Sequence, residues 1–235
     1  MKGFYIMKYD FILFDADGTL FDFERAEHYS FETLCHTYNF PFSEELYADY
    51  HVINDGLWKA YERGEIEKPS LLVERYRRLI DKYGFDADAA ECNAFYLKTL
   101  GSCPYLLDGA MEICERLADK KPLYLVTNGE ASVQQGRFNG SPIKKYFTDI
   151  FISGAVGYPK PHKEYFDYVA KNIEGFDPAR AIIIGDSLTS DIKGGNNAGI
   201  DTVWFNPTEE KNDKGVKIDY EIKDLNELIP IILGE

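Results

Sequence analysis

No run in the 235-residue sequence approaches the roughly eighteen consecutive apolar residues that a membrane-spanning helix needs, so no membrane span is expected. There is no basic run either. With 26 basic and 40 acidic residues the formal charge is −14, so a nucleic-acid polymer, itself densely negative, is not an expected partner. The cysteines Cys35, Cys92, Cys103 and Cys114 are scattered without a C-x-x-C pair, which predicts reduced, mainly buried thiols instead of a zinc site or disulfide framework. G-x-G-x-x-G, Walker A, H-E-x-x-H and G-x-S-x-G signatures are missing, so dinucleotide, P-loop, zinc-protease and serine-hydrolase readings lack support. The histidines are isolated and read as structural or exposed. The apolar stretch at the N-terminus is broken by Lys8 and Asp10 and runs into a strand, so it is not read as a signal peptide, and the cytoplasm is the expected compartment. What is present, 45% hydrophobic and 15% aromatic residues, specifies a folded globular chain long enough for one domain or for a core with an insertion.

The chain divides by pattern. Phe11 to Phe14 is a short apolar run that suits a strand buried on both faces of a parallel sheet. From Phe21 to about Gly101 the sequence carries helical signals only. Arg25 to Tyr38 has Ala26, Tyr29, Leu34 and Tyr38 along one side, and Glu44 to Arg63 reads as a helix interrupted near Asn54-Asp55-Gly56. Pro69 to Tyr83 has proline in its first turn, Leu72, Tyr76, Leu79 and Tyr83 on one face and Gly84 after its end, and residues 86–100 form another helix. From Asp108 strands alternate with helices: strands at Leu123 to Val126, Asp149 to Ser153, Ala181 to Ile184 and Thr202 to Phe205, with helices between them. Residues 206–219 read as a surface loop, followed by a last helix near 224–232. Alternation of this kind predicts an α/β fold with a doubly wound, Rossmann-like parallel sheet, and residues 20–104 an inserted helical domain; residues 1–19 and 105–235 would form the core.

The first strand runs into Asp15-Ala16-Asp17-Gly18-Thr19. Two carboxylates two residues apart project to one side of an extended chain, and Gly18 lets the backbone turn. Aspartate and glycine are also ordinary turn residues, so the pentapeptide alone does not decide between a turn and a site. Later stretches do: strand Leu123 to Val126 ends at Thr127-Asn128-Gly129, Lys160 stands between two prolines, and strand Ile182 to Ile184 runs into Asp186 and Asp191.

In this order the four stretches resemble the four motifs of the haloacid dehalogenase-like (HAD) superfamily of phosphohydrolases, over roughly residues 9–206. The resemblance implies Asp15 as nucleophile, forming an aspartyl-phosphate, and Asp17 as the acid and base that serves leaving group and water. Dehalogenases of the superfamily lack an acid at the second position, so Asp17 favours phosphoryl transfer. Thr127 and Asn128 would bind phosphoryl oxygens at a helix start, though Thr127 also reads as a simple helix cap. Lys160 would offset the charge of the carboxylates and the transferring group, though a lysine in such a loop is often only a surface charge. Asp186 and Asp191 read alone as helix N-terminal acids. Gathered near Asp15 they require a hard cation, because two like charges about 4 Å apart cost on the order of 4 kcal/mol at an effective dielectric near 20. Oxygen ligands beside a phosphate imply Mg²⁺, held by family analogy on Asp15, the Asp17 backbone carbonyl and Asp186, with Asp191 direct or through water.

An insertion between the first and second motifs resembles the helical cap of the branch that includes phosphoglycolate phosphatase, β-phosphoglucomutase and some 5′-nucleotidases. Leu57-Trp58-Lys59-Ala60-Tyr61-Glu62-Arg63-Gly64-Glu65-Ile66 and Arg75-Tyr76-Arg77 resemble the nucleotidases among them. Trp58 and Tyr61, three apart on a helix, read first as cap core and only second as a base-stacking platform. The cap is expected to close over the site with hinges near Leu20–Asp22 and Gly101–Leu106. The expected function is a Mg²⁺-dependent phosphomonoesterase on small phosphorylated metabolites, nucleoside 5′-monophosphates first, working as a monomer or small homo-oligomer. A phosphomutase and a catalytically silent binder of phosphate and Mg²⁺ are the alternatives.

Overall fold

A computed structural model describes residues 8–234; the N-terminal reading otherwise concerns residues outside these. Strand β1 (Phe11–Phe14) is followed by four helices: α1 (Phe23–Tyr38), α2 (Glu44–Glu62), α3 (Lys68–Tyr83) and α4 (Ala89–Gly101). The chain then alternates through α5 (Ala110–Ala118), β2 (Leu123–Thr127), α6 (Ala131–Gly140), β3 (Phe147–Ile152), α7 (Ser153–Val156) and α8 (Lys163–Asn172). It continues with β4 (Ala181–Gly185), α9 (Lys193–Ala198), β5 (Asp201–Phe205), β6 (Tyr220–Ile222) and α10 (Leu228–Leu233). The strands form one sheet in the order β3-β2-β1-β4-β5-β6, with every neighbouring pair parallel.

The unbroken apolar runs of β1, β2 and β4 follow from burial on both faces. Ile12, Phe14, Leu125, Ile182 and Ile184 pack with α5 and α10 on one side; Leu13, Val126 and Ile183 pack with Tyr165, Phe166 and Val169 of α8 on the other. Each such fully buried side chain contributes roughly 1.5–3 kcal/mol before the entropic cost of ordering the chain. The Gly194-Gly195 pair serves this packing: a Cβ on Gly194 would overlap the Phe166 ring, and one on Gly195 the side chains of Thr202 and Ile183.

The four inserted helices have their own core, with Phe31, Leu34, Tyr50, Tyr76, Leu79 and Tyr96 at its centre. This helical cap joins the sheet through two crossings that run side by side. Phe21 and Leu106 form an antiparallel bridge, Asp22 N donates to Tyr105 O at 3.1 Å, and Leu107 N donates to Leu20 O at 3.0 Å.

Several expectations are corrected. Helix α2 is continuous through Asn54-Asp55-Gly56. Asn54 does not turn the chain because its amide is used inside the cap, donating to Glu27 Oε1 at 2.7 Å and accepting from Arg75 Nη1 at 3.0 Å. Tyr29 and Tyr83 are exposed, and the inner face of α1 is instead Ala26, Phe31, Leu34 and Cys35. The helix after β4 opens with a π-helical turn, Leu188–Ile192. Strand β6 and the short helix α7 are additional, and the last helix begins with a 3₁₀ turn, Leu225–Glu227. All four cysteines are buried free thiols, as expected.

Candidate active site

Strands β2, β1 and β4 are adjacent and parallel, so Thr127, Asp15 and Asp186 emerge together at their carboxyl ends, where open α/β sheets bind ligands. Gly18, at φ 77°, turns the chain after β1 in the left-handed region, and a Cβ there would strike the Asp186 carboxylate. Carboxylate oxygens of Asp15, Asp186 and Asp191 all lie within 4.8 Å of one another.

Lys160 is the counter-charge. It is 1% exposed, and its ammonium donates to Asp15 Oδ1 at 2.5 Å, Asp191 Oδ1 at 2.6 Å and Val126 O at 2.9 Å, using all three protons. Burial alone would depress this ammonium, but the Asp15 and Asp191 charges outweigh it and hold it above its ordinary value. Asn128 fixes the loop that delivers it: its side chain accepts from Lys160 N and donates to Lys160 O, both at 2.8 Å. Both ends of the Asn128 amide are thus committed to Lys160, and the peptide from Lys160 to Pro161 is cis. Thr127, 1% exposed, accepts from Gly129 N at 3.0 Å, which leaves its hydroxyl proton free to donate.

One ammonium against three carboxylates leaves the cluster negative. Desolvation, with the Asp191 charge next in size, raises the Asp15 carboxyl well above its ordinary range. Asp186 reaches solvent in the cleft but is walled by protein; desolvation and then Asp191 push it up to about 7. The oxygen-only donor set and its uncompensated charge fit a hard divalent cation.

Asp17 stands apart from these three. Its Oδ1 accepts from Arg137 Nη1 and its Oδ2 from Gln134 Nε2, both on α6. A cleft of about 360 Å³ joins Asp15, Asp17 and Lys160 on the core to Trp58, His51 and Glu62 on the cap. A larger opening of about 620 Å³ beyond Gly18 and Asp186 is bordered by none of Asp15, Thr127 or Lys160.

Of the cap residues that border this cleft, sequence reading assigned a candidate substrate contact to Trp58 alone; Glu62 lay unremarked within the same motif, and Asn54 and Asp55 read only as a helix interruption. Glu27, fully buried, accepts from Asn54 Nδ2 and from Tyr47 Oη at 3.1 Å, and its Oε2 lies 2.6 Å from His51 Nδ1, which raises the His51 pKa. Glu62 accepts from Thr189 Oγ1 at 2.7 Å, and burial raises its carboxyl. Lys68, at the start of α3, donates to Asn128 O at 2.9 Å, Gly129 O at 3.2 Å and Ser153 Oγ at 2.9 Å, so the cap grips the loop after Thr127. The Trp58 and Tyr61 rings meet edge-on at 5.8 Å, and Trp58 alone of the pair borders the cleft.

The profile of the haloacid dehalogenase-like hydrolases matches residues 9–199. The chain is 40% identical to the HAD-hydrolase YfnB of Bacillus subtilis, over 96% of each chain. A crystal structure of YfnB bound to magnesium, in which interdomain movement is described, superposes with a TM-score of 0.91 and covers 95% of this chain and 98% of that one. Identity is 36% with the pyrimidine 5′-nucleotidase PynA of Streptococcus pneumoniae, over 95% of this chain and 94% of that one. With the pyrimidine 5′-nucleotidase YjjG of Escherichia coli it is 30%, over 94% and 97%. The chain belongs to the haloacid dehalogenase-like hydrolases.

Proposed function

We propose that the protein is a Mg²⁺-dependent phosphomonoesterase that works through an aspartyl-phosphate on Asp15, with pyrimidine nucleoside 5′-monophosphates as its substrates. The observation that carries the reading is the Asp15–Lys160–Asp191 contact beside Asp186 and Asp17, at the open end of three adjacent strands. The base class follows from the relatives PynA and YjjG, each matched over nearly its whole length. Residues 20–104 are taken as a cap that closes the cleft over the substrate.

An Asp15 carboxylate oxygen attacks phosphorus, the bond to the nucleoside oxygen breaks, and Asp17 gives that oxygen a proton. Asp17 then takes a proton from a water that attacks the same phosphorus, the bond to Asp15 breaks, and inorganic phosphate leaves. Lys160 offsets charge on Asp15 and on the equatorial phosphoryl oxygens. Thr127, with its free hydroxyl proton, donates to a phosphoryl oxygen, and Asn128 holds Lys160 in reach of Asp15. Asp15, Asp186, Asp191 and the Asp17 backbone carbonyl would hold Mg²⁺, which supplies charge neutralisation and orientation of the phosphate when bound.

The test is the phosphoenzyme. Wild-type protein mixed with uridine 5′-monophosphate labelled at phosphorus, and quenched within one turnover, should carry a hydroxylamine-labile label on the peptide containing Asp15. Asp15→Asn should fold, carry no label and release phosphate at less than about a thousandth of the wild-type rate. Phosphate release by Asp15→Asn near the wild-type rate would remove Asp15 from the mechanism.

A further inference from the structure

Arg137 is the largest side chain buried completely within the described residues, and it lies outside the carboxylate cluster. A guanidinium is costly to bury, so the groups it meets are informative. Nη1 donates to Asp17 Oδ1, Nε donates to Cys103 O at 3.1 Å, and the guanidinium carbon stands 4.7 Å from the centroid of the Phe21 ring. Phe21 belongs to the crossing that leaves the core for the cap, and Cys103 to the one that returns. One side chain on α6 is therefore held by both crossings and by the second aspartate of the first motif.

Gln134, one turn earlier on the same helix and 1% exposed, donates Nε2 to the other oxygen of Asp17. Arg137 Nη2 and Gln134 Oε1 are buried without a hydrogen-bond partner among the described residues. Two polar groups are thus left incompletely satisfied in order to reach one carboxylate, a pattern that belongs to functional sites more than to packing. Helix α6 lies close enough to do this because Gly136 has no Cβ: one built there would strike the Gly101 carbonyl at the end of α4.

A carboxylate has about four lone-pair sites, two on each oxygen. The two donors from α6 take one on each, which fixes the plane of the group, and Asp17 borders the cleft. We propose that Arg137 and Gln134 are positioning residues for Asp17: they aim the carboxyl site that carries its proton at the leaving oxygen, and Arg137 is itself anchored by the two cap crossings. The proposal rests on the phosphomonoesterase reading of the site.

A ribose 5′-oxygen leaves only if protonated, whereas p-nitrophenolate departs without help, and kcat/KM runs no further than that departure. The aim of Asp17 therefore shows in the ratio of kcat/KM for the best alkyl phosphate, a nucleoside monophosphate, to that for p-nitrophenyl phosphate. In Gln134→Met and Arg137→Lys, with folding checked by circular dichroism and thermal melting, the alkyl value should fall by about tenfold or more and the nitrophenyl value by less than about threefold. Equal falls on both esters, a larger fall on the nitrophenyl ester, or no fall on either would overturn the proposal. Where Arg137→Lys does not fold, Gln134→Met decides alone. A wild-type protein that releases phosphate from no ester would instead overturn the underlying reading of the site.

Discussion

Lys160 spends every donor it has inside the protein, and still leaves the carboxylates around it short of positive charge. The consequence is visible in protonation. Asp186 is pushed up to about 7, and Asp15 stands well above its ordinary range, whereas both titrate near 4 in the unfolded chain. As pH falls through 7 the folded, metal-free protein therefore takes up protons that the unfolded chain does not, so its stability rises. Thermal midpoints in EDTA should increase from about pH 8 to about pH 6, saturating Mg²⁺ should flatten the slope, and Asp186→Asn should remove much of it. A midpoint in EDTA that is flat or falls over that interval would contradict the charge assignment. Much of this centre is legible in the sequence, because Asp15, Thr127 and Asp186 stand at strand ends, Lys160 in a proline-bounded loop and Asp191 in the turn that follows β4. Arg137, Gln134 and Glu27 are not legible there. They are mid-helix residues whose partners in space are set by tertiary packing, as with Arg137 and Asp17, 120 positions apart.

At the scale of elements, α3 and α6 do the joining. Lys68 opens α3 with three hydrogen bonds across the cleft to core oxygens, and burial lowers its pKa. Removing the ammonium strands three acceptors beside the loop after Thr127, so the closed cap loses a charge-assisted contact of about 1.5–3 kcal/mol. Lys68→Met should raise KM for the nucleotide about tenfold, reduce kcat less, and speed proteolytic cleavage near residues 20–22 and 101–106. Unchanged KM together with unchanged cleavage would show that Lys68 does not hold the cap. Strand β6 escaped sequence reading for a different reason. Three residues at a sheet edge, Tyr220–Ile222, carry too little alternation to stand out, and burial of Ile222 against the core supplies what local propensity does not. The interruption expected in α2 failed because Asn54 and Gly56 are turn residues only when nothing else uses them, and Asn54 is held by Glu27 and Arg75.

Over the whole molecule, the central strands β2, β1 and β4 set Thr127, Asp15 and Asp186 side by side, and the inserted helices border the cleft beside Asp15 and Thr127. The alternation of strand and helix after Asp108 made the doubly wound sheet readable from sequence, and the strand-free stretch before it made the insertion readable. A net charge of −14 would ordinarily oppose the proposed anionic substrate; Lys160 and Lys68 offset it locally, and the proposed Mg²⁺ would add to them. The proposed reaction is metal-dependent hydrolysis of pyrimidine nucleotides. It is tested most directly by phosphate release from uridine and cytidine 5′-monophosphates, purine nucleotides, sugar phosphates and phosphoglycolate, each with Mg²⁺ and with EDTA. Release that needs Mg²⁺ and is fastest from the pyrimidine nucleotides is the expected result. Equal release in EDTA, or a preference for sugar phosphates or phosphoglycolate over the pyrimidine nucleotides, would contradict it.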